Sequence, residues 1–206
     1  YSLESTSPII KDTNVLENLI EFSGSKKDFN FDLSLESYET MGKPNSDKYE
    51  FIYPNYSLTK TSFLKDKIFD NFEFESSGNN KKYSTNVSET VQVNNLILNG
   101  NNMISKFGFN HNFKTILKNV NSDGKNSAKF KEKNQSEILS MITYDAGIPF
   151  IKENEYYSNL LTPKMSFRFS PNDSKNLKDE SRSLNSNNIF SLNRIGFNET
   201  IEGGTT

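Results

Sequence analysis

Residues 28–37, DFNFDLSLES, alternate polar and apolar side chains from Asp28 to Glu36 without a break. Phe29, Phe31, Leu33 and Leu35 fall at every second position, with Asp28, Asn30, Asp32, Ser34 and Glu36 between them. A period of two sends successive side chains to opposite faces, which is the geometry of a β-strand and not of a helix. One face is apolar and the other meets water or a polar interior.

The same phase recurs along the chain. KYEFIYPNYSL (48–58) places Tyr49, Phe51 and Tyr53 in step before Pro54, which lacks an N–H and predicts a bulge, an edge or a strand end. DNFEFES (70–76) repeats the pattern with Phe72 and Phe74, and KMSFRFS (164–170) gives Met165, Phe167 and Phe169 against Lys164, Ser166, Arg168 and Ser170. ISKFGFNHNFK (104–114) sets Phe107, Phe109, His111 and Phe113 against Lys106, Gly108, Asn110 and Asn112. Weaker alternations lie over 87–93, 96–98 and 138–144.

Polar clusters separate these runs: SGNNKK (77–82), NGNN (99–102), NSDGKNS (121–127) and the long stretch 170–188. Gly, Asn and Asp accept positive φ, and the two latter bond their own backbone, so these clusters predict turns. One stretch points elsewhere. TNVLENLIEFSG (13–24) carries Val15, Leu16, Leu19 and Ile20 at helical spacing, with Asn14 and Glu17 arranged like a capping box and Gly24 as a stop. A short helix over 14–23 therefore stands beside a strand as a reading of this segment.

Composition agrees with a two-faced sheet. Only 33% of the 206 residues are hydrophobic and mean hydropathy is −0.71, yet 13% are aromatic, with 17 Phe and 9 Tyr. Unfolded polar chains are poor in rings, whereas alternating strands need only every second residue to be apolar. The sequence predicts an all-β antiparallel meander of roughly eight to ten strands. The apolar face would meet lipid in a transmembrane barrel, or form the core of a soluble sandwich.

Twenty-four Lys and Arg balance 26 Asp and Glu, giving a net charge of −2, so no global field recruits nucleic acid. The absence of cysteine removes disulfides, thiolate metal sites and a cysteine nucleophile. No initiator methionine, signal peptide or run of 18 apolar residues is present, and the chain is expected to be an excised piece of a longer protein.

Catalytic patterns are missing. His111 is the single histidine, and its phase with Phe109 and Phe113 makes it a structural imidazole before a general base. The pairs Asp32/Glu36 and Glu73/Glu75 share strand faces, where solvation is the default and a glycosidase would need them across a cleft. SDG (122–124) lacks the ligand series of a calcium loop and reads as a turn. No phosphate-binding, nucleophile-elbow or zinc-protease motif occurs. An enzyme is not expected, nor is a cofactor or a metal.

The segments YYSNLLTPKMSFRFSPND (156–173) and SNNIFSLNRIGFNETIEGG (186–204) carry a resemblance. Leu161, Thr162 and Pro163 open a strand that closes on Ser170 and Pro171. Asn188, Ile189 and Phe190 then precede Asn193 and Arg194, and Glu202, Gly203 and Gly204 close the phrase. This resembles the C-terminal barrel domain of the lipopolysaccharide-assembly outer-membrane protein (LptD, organic-solvent-tolerance) family. Where many members place an Asp-Arg pair before the final Ile-Glu-Gly-Gly, this chain has Glu199 and Thr200.

The resemblance implies that residues 1–206 are an interior part of a bacterial outer-membrane β-barrel domain. It further implies lipopolysaccharide as cargo, an LptE-like lipoprotein plug, a periplasmic lipopolysaccharide bridge protein and outer-membrane lipids as partners, and no cofactor. Lys106, Lys164 and Arg168 would then face the lumen. A porin or uptake channel, and a soluble β adhesin or carbohydrate-binding module, are the alternatives that the residues leave open. In the closing phrase strict alternation would put Arg194 beside Phe190 and Leu192, a costly place for a guanidinium in lipid. Arg194 is therefore expected to turn inward and pair with Glu199 or Glu202, with Gly203 and Gly204 permitting the turn into the next strand.

Overall fold

A computed structural model describes residues 14–42, 48–173 and 200–205. Among them the chain is all β, without a helix. Eight long strands form the body: β1 (Val15–Lys26), β2 (Phe29–Thr40), β3 (Tyr49–Phe63), β4 (Phe69–Tyr83), β5 (Ser88–Gly100), β7 (Asn110–Lys125), β8 (Gln135–Gly147) and β11 (Lys164–Ser170). Short β6 (Met103–Ile104) flanks β7, and β12 (Gly204–Thr205) pairs with β11. β9 (Phe150–Glu153) and β10 (Ser158–Leu161) make a separate hairpin. The sheet order β1-β2-β3-β4-β5-β7-β8-β11-β12 is an open antiparallel meander, as the alternation predicts.

β1 is a strand where a helix also stood as a reading. Each residue from Val15 to Lys26 pairs with β2, from Val15 opposite Thr40 to Lys26 opposite Phe29. The apolar spacing divides between two faces, with Leu16 and Ile20 on one and Val15 and Leu19 on the other. A complete ladder of backbone bonds along β2 outweighs a local capping signal. The two-residue connection Lys27–Asp28 puts Lys27 at a φ of 51°, and Asp28 is tied to β3 through a bond from the Thr61 N–H.

Three other expectations are corrected. SGNNKK lies inside β4, where Asn79, Lys81 and Lys82 pair with both neighbours. SDG lies inside β7, with Gly124 opposite Glu89 and Phe130 folded so closely over it that a Cβ would meet the Phe130 backbone at 2.8 Å. The run at 104–114 is interrupted. Gly108, at a φ of 81°, turns the chain between β6 and β7, so Phe107 and Phe109 precede the strand that holds His111 and Phe113.

Pro54 marks a bulge, one of the outcomes its missing donor predicted. Tyr53 and Pro54 together stand opposite Leu35 of β2 on one side and Asn80 of β4 on the other, because Ile52 pairs with Glu36 and Lys81 while Asn55 pairs with Ser34 and Asn79. The extra residue leaves Ile52 and Asn55 on the same face although they are three apart.

Directly paired residues share a face, so the registers sort the side chains. One face carries Ile20, Phe22, Phe31, Leu33, Phe51, Leu58, Phe72, Leu96, Leu117, Ile142, Tyr144, Phe167 and Phe169. We call it the aromatic face. The other, mixed face carries Glu17, Glu36, Glu75, Lys118 and Arg168 together with Val91, Val93, Val120, Leu139 and Met141. The packed core lies on the mixed face, as a cluster of those five apolar residues and Ile201, with Ile116 and Phe130 against it.

Candidate functional site

Two surfaces carry chemistry, one on each face. On the mixed face a groove of about 520 Å³ runs over β1 to β5 and is edged by Glu17, Glu21, Asp32 and Glu36. The Glu36 carboxylate accepts hydrogen bonds from Tyr38 and Asn55, each at 2.9 Å, and from Ser34. Three donors stabilise the ionised carboxylate and suit a fixed negative charge. Asn95 donates to Glu75 at 2.9 Å and Asn99 to Asn71 at 2.8 Å farther along this face. At the top turn, Lys48 lies 2.6 Å from Glu39, whose hydrogen bond holds the lysine above its usual pKa range.

The far end of the mixed face holds a buried ion pair. Alternation sends Arg168 of β11 inward, between Phe167 and Phe169, which face the other way. Its side chain is 3% exposed, and its Nη1 donates to Glu202 Oε2 at 3.2 Å while Nη2 donates to the Glu202 carbonyl. Thr200 and Ile201 are buried beside it, so the segment entering β12 lies on the inner surface of β8 and β11. Thr143, opposite Arg168, is 1% exposed, and Ser170 donates to the Ser140 carbonyl at 2.9 Å.

The aromatic face is built differently. Ile20, Phe22, Phe72, Leu96, Ile142, Met165 and Phe167 are each more than a third exposed. On the far side of the polar rows Tyr49, Phe51 and Tyr53 line up along β3, Phe51 level with Lys82, with centroids 6.1 and 5.7 Å apart. Between these rings and the apolar rows of Phe72 and Phe74 a polar ladder crosses five strands. Tyr56 hydroxyl meets Ser76 at 3.4 Å, Ser76 donates to Asn94 at 2.7 Å, Asn94 to Asn119 at 3.2 Å and Asn119 to Ser136 at 3.4 Å. Lys26 and Lys60 are charges on this face level with Phe29 and Phe74. Lys60 sits three residues from the end of β3, within reach of the rim for a side chain of this length.

Of the residues singled out in the sequence, Lys164 and Arg168 lie on the mixed face with the core cluster, whereas Lys106 sits in the turn before β7, off both faces. Pro163 immediately precedes β11, and its carbonyl accepts from the Ile148 N–H at 3.3 Å. Glu202 is placed against Arg168, Gly203 is half-buried, and Gly204 takes a φ of 95° and opens β12. Asn193, Arg194 and Glu199 lie outside the described residues. His111 faces Tyr144 at 6.0 Å, with its Nδ1 buried and unbonded. The groove and the polar ladder escaped the sequence reading, because cross-strand neighbours have no signature before register is known.

Among the described residues no cluster of His, Cys, Asp and Glu is arranged to hold a metal, and no helix is long and apolar enough to cross a membrane. The second statement does not bear on a β-barrel, which crosses with strands. No family model matches this chain, and no curated protein matches it.

Proposed function

We propose that this chain is part of an outer-membrane β-barrel that inserts lipopolysaccharide into the outer leaflet. The observation that carries the membrane reading is the division of labour between faces. The packed cluster and the buried ion pair occupy the mixed face, and the aromatic band lies open across β1 to β11. Contiguous exposed apolar surface on this scale needs lipid or a partner to cover it. A soluble sandwich would bury its aromatic face against a second sheet and leave the charges outside, which is the reverse of this arrangement.

The cargo follows from the resemblance of residues 156–204. In that reading the mixed face lines the lumen and accommodates the sugar and phosphate headgroup, while acyl chains leave sideways between strands. Lys164 is an exposed inward cation that could meet phosphate, whereas Arg168 is buried and already held by Glu202. A lipoprotein plug would occupy the lumen and a periplasmic bridge protein would deliver the cargo. Depletion of the protein tests the assignment: lipopolysaccharide should fail to reach the cell surface, and undiminished arrival overturns it.

A second reading rests on the acidic groove. Glu17, Glu21, Asp32 and Glu36 on a lumen wall would favour a cation-selective uptake channel. Single-channel conductance in a planar bilayer separates the two, since an assembly barrel with its plug in place should not conduct.

A further inference from the structure

The registers of β4, β5 and β7 align the aromatic face into rows of graded chemistry. Two apolar rows, Phe72–Leu98–Thr115 and Phe74–Leu96–Leu117, lie toward one end. The next row is Ser76–Asn94–Asn119, then Gly78–Gln92–Asn121, then Asn80–Thr90–Asp123. The last is Lys82–Ser88–Lys125. Gln92, Thr90, Lys82 and Lys125 are exposed, and the Tyr56 ring lies against Gly78, where a Cβ would meet it at 2.8 Å.

We propose that this column is a binding strip for an anionic glycolipid, with its acyl chains on the two apolar rows, its sugars on the amide rows and a phosphate at Lys82 and Lys125. The inference rests on the membrane reading above, and concerns the outward face instead of the lumen. Amides and hydroxyls both donate and accept, as sugar hydroxyls do. Asn94 and Asn119 are already fixed by the ladder, which presents them without further ordering. The Tyr56 ring beside Gly78 offers a flat apolar patch of the kind a sugar ring covers. Lys82 and Lys125, two strands apart with Ser88 between them, complete an anion site in which Lys125 also donates to Asn86 at 3.4 Å, and Asp123, one row below, keeps the anion at the lysine row and off the amides.

The length of the strip selects the headgroup. Eight residues of β4 separate Phe74 from Lys82, which is ~27 Å at the rise of a strand. The phosphate of a phospholipid lies within about one row, ~7 Å, of its acyl chains and cannot reach the lysines. A headgroup of several sugars with a distal phosphate can.

The test uses the full-length protein in nanodiscs of phosphatidylcholine and phosphatidylglycerol, doped with lipid A alone or with lipid A bearing a phosphorylated core oligosaccharide. Heat-modifiable migration reports insertion, and native mass spectrometry counts the lipids retained on release. The core-bearing glycolipid should be retained, and Lys82→Gln with Lys125→Gln should lower its retention about ten-fold without changing that of lipid A or phosphatidylglycerol. Gln92→Leu should weaken the same lipid alone. Equal retention of lipid A and the core-bearing form in the wild-type protein overturns the strip, as does a parallel loss of all anionic lipids in the lysine variant. A protein that never becomes heat-modifiable in any bilayer overturns the barrel reading itself, and the strip with it.

Discussion

Arg168 on β11 and Glu202 on the segment entering β12 form an ion pair at 3.2 Å, with side chains 3% and 13% exposed. Removing the carboxylate leaves a guanidinium that is 3% exposed, opposite the buried Thr143, without its ionic partner. Glu202→Ala should cost about 3 kcal/mol in urea unfolding, and Arg168→Met combined with Glu202→Leu should recover most of that loss. A single-variant cost near zero would mean that the pair is screened by solvent.

Gly78 faces a backbone as well as a ring. A Cβ there would come within 2.7 Å of the Val91 carbonyl and 2.8 Å of Tyr56. Gly78→Ala should destabilise by about 1–3 kcal/mol, since the carbonyl belongs to the β4–β5 ladder and has no room to yield. Tyr56→Leu in the same background should relieve part of the strain. Unfolding of the two variants side by side checks both statements.

Lys27, Asn86 and Asn126 are the described non-glycine residues at positive φ. Asparagine tolerates that region and lysine does so poorly. Lys27→Asn should therefore stabilise the β1–β2 hairpin by about 0.5–1 kcal/mol. Slowed amide exchange along β1 relative to β7 would be the local signature.

The aromatic face gives a depth-dependent prediction. In lipid vesicles Leu96→Arg should cost about 2–4 kcal/mol, whereas Gln92→Arg, four residues along the same strand face, should cost no more than about 1 kcal/mol. Equal, small effects at the two positions would place this face in water.

Much of this architecture was legible in the sequence, and the failures have physical causes. β2 and β11 were readable because Phe29 to Leu35 and Met165 to Phe169 alternate without interruption. β1 was ambiguous because Val15, Leu16, Leu19 and Ile20 fit both periods, and the pairing with β2 that decides the matter lies outside its own residues. The polar halves of β4 and β7 resembled turns because their own residues there are mostly Ser, Gly, Asn, Asp and Lys, while the buried Val91 and Val93 of the same rows come from β5 between them. Alternation alone placed Arg168 opposite Phe167 and Phe169. Its partnership with Glu202, 34 residues away, has no periodicity to reveal it.

The bulge at Tyr53 and Pro54 has a consequence for how β3 tolerates change. Carried straight on from Tyr49, Phe51 and Tyr53, the alternation would send Asn55, Ser57 and Thr59 outward and bury Tyr56 and Leu58 in the acidic groove. The extra residue resets the count, so that both halves of the strand obey the same two faces. Straightening β3 with Pro54 kept would turn half of the strand inside out, whereas deleting Pro54 would remove the bulge and leave Tyr53, Tyr56 and Leu58 on the face they now share.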